Sequence, residues 1–153
     1  MMRLSCVLLF VGLSLCSLGC TRRANPSGQT VTVDEFRQTE RAILATFNGL
    51  LRNQRANQID ELELANSIDR AVLPPWRMLR ARIDAATPPA SDRELYSVLR
   101  RYVATRQRAW EAFSAALHSP SDEAAKPLYA AYRAGEAAAV DDARILGRAF
   151  RAR

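Results

Sequence analysis

Arg106, Asp69, Glu40 and Tyr102 are the residues whose types and spacing point most directly to chemistry in this chain. Arg106 falls on the same helical face as Leu99, Tyr102, Ala109 and Phe113, where the period asks for an apolar side chain. Glu40 interrupts the series Phe36, Ile43, Phe47 in the same way, and Asp69 interrupts the series from Leu62 to Trp76. Counted from turns expected near Ala56 and Pro88, the three charges lie within one helical turn of a common level. A guanidinium in a helical core must be paired, because an isolated buried charge costs several kcal/mol. The spacing therefore predicts an interior network in which Arg106 holds Asp69 and Glu40 while Tyr102 completes the hydrogen bonds. Two other arrangements compete with it. In one, Arg106 lines a pocket and grips the carboxylate or phosphate of a small ligand; in the other it carries its charge out to solvent and packs only its stem.

Catalytic constellations are scarce. His118 is the single histidine, set just before Ser119-Pro120, where it reads as a helix-end residue. A Ser-His-Asp arrangement would have to use it. The Glu-x-x-His pairs of di-iron bundles and the glycine-rich loops of nucleotide sites are missing. Asp60-Glu61 and Asp141-Asp142 are adjacent pairs, and neighbours on a helix point in different directions, so neither forms a glycosidase-type couple. The expectation is a non-catalytic protein with no metal and no cofactor. Aromatic residues such as Tyr96, Tyr102 and Trp110 fall on or beside the buried stripe, which argues against stacking on nucleic acid.

The cysteines say where the chain works. Cys6, Cys16 and Cys20 are the only three, and none follows, so the rest of the chain has no disulfide, thiolate metal site or cysteine nucleophile. Arg3, the apolar run from Leu4 to Leu18, and then Gly19-Cys20 have the layout of a secretory signal, too short for a membrane span of about 20 residues. The ending Ser17-Leu18-Gly19-Cys20 resembles the lipobox of bacterial lipoproteins, in which the thiol after the cut is acylated. The resemblance implies cleavage after residue 19, lipidation at Cys20, and an exported protein held at the cell envelope, facing the periplasm or the exterior. An ordinary secretory leader with Cys20 as an incidental thiol is the competing reading.

Beyond the leader, residues 20–32 read as a flexible tether: Pro26 and Gly28 break any helix and no apolar period is present. Residues 33–153 read as one helical domain. Thr32 or Asp34 caps a first helix bearing Phe36, Ile43, Phe47, Leu50 and Leu51, with a turn within Asn53 to Asn57 or, alternatively, no break there. A second stretch from about Gln58 to Ala86 carries Leu62, Ala65, Ile68, Val72, Trp76, Leu79 and Ile83, and Pro74-Pro75 predicts a kink near Leu73. Ser91 and Glu94 form a capping-box pattern before a third helix. The fourth starts at Asp122 and turns Leu128, Ala131, Gly135, Ala138, Asp142 and Ile145 inward. The expected fold is all-α, an antiparallel up-down four-helix bundle with the second helix kinked at Pro74-Pro75, either monomeric or completed in a homodimer.

The chain carries 22 Lys and Arg against 16 Asp and Glu, a basic balance with both signs interspersed, which favours anionic surfaces without demanding them. The function expected from the sequence is a lipid-anchored envelope binding or scaffold module. Its partners would be the membrane, through Cys20, and another envelope protein or an anionic envelope component, with no role for nucleic acid. The alternative is a small anionic-ligand-binding bundle with Arg106 in the pocket.

Overall fold

A computed structural model describes residues 30–151; the predicted leader, the lipidation site Cys20 and most of the predicted tether lie outside the described residues. The described residues are all-helical, with no strand. The first helix, α1 (Val33–Arg55), begins where Thr32 accepts a hydrogen bond from the Glu35 amide at 3.2 Å, an N-cap supported by Asp34 and Glu35 in the first turn. It ends before Asn57, whose φ of 54° reverses the chain in the left-handed region that Asn tolerates better than most residues.

The second stretch comprises α2 (Glu61–Ser67), a π-helical turn (Ile68–Val72) and α3 (Leu73–Ala85). Asp60 caps it by accepting from the Glu63 amide at 2.7 Å. The backbone stays helical through Pro74 and Pro75, which occupy the opening turn of α3. Two consecutive residues without amide protons deprive the preceding carbonyls of their usual donors. The chain widens just upstream, and the Leu73 amide reaches back five residues to the Ile68 carbonyl. Leu62, expected inside, is 57% exposed; Leu64 takes the inner position with Ala65 and Ile68.

A short 3-10 turn (Ala90–Asp92) leads into α4 (Arg93–Leu117). The expected capping box does not form: Ser91 donates to the Asp92 carboxylate at 2.9 Å, and the turn starts the helix instead. The last helix, α5 (Asp122–Arg151), is opened by Ser121, whose hydroxyl accepts from the Ala124 amide at 3.3 Å.

α4 and α5 form the closest helix pair. Their partners fall at Arg101 with Asp142, Arg106 with Glu136, Ala109 with Gly135 and Phe113 with Tyr132, so one number rises as the other falls and the two run antiparallel. Gly135 permits this approach: a Cβ there would stand 2.8 Å from the Ala109 Cβ. On the other side of α4, Trp76 and Trp110 are fully buried, and α1 meets them through aromatic rings, with Phe47 stacked on Trp110 at 5.0 Å and Phe36 edge-on to Tyr102 at 6.1 Å. The inner face of α5 differs from the expected one. Leu128, Gly135 and Asp142 face inward as expected, whereas Ala131, Ala138 and Ile145 are exposed, and Tyr132, Ala139 and Leu146 complete the stripe.

Candidate functional site

Arg106 sits in the middle of α4 and is 8% exposed. Its Nη1 donates to both carboxylate oxygens of Glu136 on α5, at 3.0 and 3.3 Å. Its guanidinium lies 5.3 Å from the Tyr102 ring centroid and 5.7 Å from that of Trp110, so two aromatic faces add cation–π attraction in a desolvated setting. Tyr102, one turn earlier, donates its hydroxyl to Glu40 of α1. These four side chains tie α1, α4 and α5 together in one layer.

Burial sets the electrostatics of this layer. It pushes the Glu40 carboxyl above its ordinary range, against the Tyr102 hydrogen bond and the positive charges of Arg106, Arg37 and Arg41. It raises Glu136 in the same way, against Arg106. The Tyr102 hydroxyl is raised by its own burial and by the neighbouring Glu40 charge, so it remains a hydrogen-bond donor at any physiological pH. Two acids thus share one guanidinium. Arg106 Nε and Trp110 Nε1 are buried without a hydrogen-bond partner among the described residues.

Of the residues singled out in the sequence, the structure brings Arg106, Glu40 and Tyr102 to one level but places Asp69 elsewhere. Asp69 accepts from the Ser114 hydroxyl at 2.7 Å and contacts His118 Nε2 at 3.2 Å, two helical turns along α4 from Arg106. The reason lies in the connection between α3 and α4. Counting from Pro88 put its midpoint too early; the 3-10 turn at Ala90–Asp92 moves it close to Ser91, and an error of a few residues in the midpoint is doubled in the register. Glu136 supplies the carboxylate expected from Asp69. The sequence reading missed it because the alanines of α5 fit several helical faces equally well. The larger residues Leu128, Tyr132, Leu146 and Phe150 carry the signal that would have fixed the face and put Glu136 on its flank.

The Asp69 cluster superficially assembles catalytic residue types. Here the carboxylate stands between hydroxyl and imidazole, so His118 is not hydrogen-bonded to the Ser114 oxygen and is not placed to take its proton; Ser114 is also buried. Arg77 beside it is bound to Glu111 at 2.7 Å. Among the described residues no group of three or more His, Asp or Glu side chains is placed to hold a metal ion. No helix among them is long and apolar enough to cross a membrane. Known protein families, curated proteins and solved structures were all compared with this chain, and none of them matches it.

Proposed function

We propose that this protein is a non-catalytic binding or scaffold module held at the bacterial cell envelope by a lipid on Cys20. In this reading the leader, residues 1–19, is removed, residues 20–32 are the tether, and residues 33–153 are an antiparallel up-down four-helix bundle bent at Pro74-Pro75. The observation that carries the module reading is the occupied state of Arg106: its charge is met by Glu136 and two aromatic rings inside the protein. A guanidinium engaged in this way serves the fold, and partners are met by the exposed helical faces. The reading is tested by replacing Cys20 with Ser and fractionating cells. The expected result is loss of acylation and departure from the membrane fraction; unchanged processing and membrane association would overturn the anchor.

The second reading, a small anionic-ligand binder, has one observation in its favour, the unpartnered Nε of Arg106. Thermal unfolding with millimolar acetate, succinate or inorganic phosphate separates the two. The module predicts no saturable stabilisation.

A further inference from the structure

The two ends of the helical domain differ in charge, and the chain reaches the predicted lipid from only one of them. Three contacts gather the near end. Tyr96 of α4 donates to the Val31 carbonyl at 2.8 Å, Arg100 donates to the Ala86 carbonyl at 2.7 Å, and the rings of Phe36 and Phe150 lie 6.4 Å apart. The start of α1, the connection between α3 and α4 and the C-terminus of α5 therefore share this end. At the far end, Phe113 joins the second half of α1 through Phe47 and the first half of α5 through Tyr129.

Arginines outnumber carboxylates at the near end. Arg93, Arg148 and Arg151 are exposed there and form no ion pair with any described residue; of the carboxylates at this end, Glu35 and Asp84 are engaged by Arg82 and Arg80, Asp92 accepts from Ser91, and Asp34 and Glu94 are exposed. At the far end the balance reverses: Asp60, Glu61, Glu63, Asp122 and Glu123 outnumber the basic residues around them. An opening with apolar walls and a polar rim of Ser91 and Glu94 also lies at the near end. Ile145, exposed on α5, lines a cavity of about 250 Å³ together with Leu95, Val98, Leu146 and Ala149.

Resting on the anchored reading above, we infer that the end of the domain formed by the start of α1, the start of α4 and the C-terminus of α5 docks on anionic phospholipid headgroups. Chain length makes this the end that meets the membrane. The ten residues from Cys20 to Thr30 span at most about 35 Å even when fully extended, and a 30-residue helix such as α5 sets the far end about 45 Å further away in an upright domain. Each arginine near an anionic surface is attracted to it, and the attraction falls off within a Debye length, so only charges at the near end feel it. The acidic far end meets repulsion only when the domain tips it to within a Debye length of the same surface. Together these forces hold the domain upright, with the exposed faces of its helices free for a partner.

Amide hydrogen exchange on the full chain, reconstituted in vesicles of phosphatidylcholine alone or with about 30% phosphatidylglycerol, tests the docking. The expected result is protection of residues 87–95 and 145–151 on the anionic vesicles only, reversed by about 1 M salt. The double variant Arg148→Glu, Arg151→Glu should lose the protection, and Arg52→Glu, Arg55→Glu at the far end should keep it. Equal exchange on both vesicles, or protection at 56–62 and 118–124 instead, would overturn the inference. The mass of the purified chain reports acylation of Cys20 separately. An unacylated chain sinks the anchor, and its exchange pattern when added to preformed vesicles still decides the docking; an acylated chain without lipid-dependent protection sinks the docking alone.

Discussion

Arg106 and Asp69 are both charged residues set into apolar helical stripes, yet their surroundings assign them different work. Arg106 lies between two aromatic rings and Glu136 in a layer largely closed to water, whereas Asp69 is exposed, meeting His118 at the surface and accepting from the buried Ser114 hydroxyl beneath it. In a low-dielectric layer, attraction between charges is strong and so is the cost of leaving one unpaired. At the surface, water and salt screen the attraction, and long side chains lose freedom to make it. Equivalent breaks in a sequence pattern thus yield an internal lock in one place and a replaceable contact in the other.

The largest effect should come from breaking the lock. Arg106→Leu leaves Glu136 and Glu40 facing a core without their guanidinium, and urea unfolding at pH 7 should show a loss of about 3 kcal/mol, somewhat below the upper range for broken buried pairs because Glu136 keeps partial access to solvent. The loss should shrink in acid, where both carboxylates take up a proton. Next comes the wall beside the lock. Gly135→Ala puts a methyl group against Ala109, and overpacking should outweigh the better helix propensity of Ala, for a net destabilisation of about 1 kcal/mol by thermal unfolding.

Glu40→Gln should act in the opposite direction. Glu40 and Glu136 have folded-state values raised above the ordinary carboxylate range, so the folded protein holds protons that the unfolded chain has already released. Their contribution to stability is complete below the unfolded value and is lost as pH rises through the raised folded values. Gln at position 40 still accepts from Tyr102 and carries no charge to desolvate. A stability–pH profile of this variant should decline less steeply above the unfolded carboxylate value, and at pH 7 the variant should match or exceed the parent by up to about 1 kcal/mol. His118→Ala belongs at the bottom of the scale, with an expected change within about 0.5 kcal/mol, because its contact with Asp69 is largely exposed. A larger loss there would erase the contrast between the two clusters.

The helices were legible in the sequence where large apolar residues recur and polar groups cap the ends. Thr32 caps α1, the turn falls near Asn57, and Trp76, Leu79 and Ile83 are buried as their spacing implies. Two kinds of position were not legible. In α5 the repeated alanines carry too little hydrophobic contrast to fix a rotation, so three inner positions and Glu136 were missed. Between helices, register depends on how much of a connection is itself helical. The 3-10 turn before α4 cannot be weighed from composition, and it carried Asp69 away from Arg106. The π turn before Pro74 is a further local response that a prolyl pair suggests only in outline.

A double-mutant cycle between Arg106 and Glu136, using Arg106→Leu, Glu136→Leu and the pair together, tests the internal lock most directly. Urea unfolding at pH 7 should return a coupling free energy of about 2 kcal/mol, with the double variant recovering much of what either single change loses. A coupling below about 0.5 kcal/mol would contradict it, and would mean that the Arg106 charge is met outside the protein.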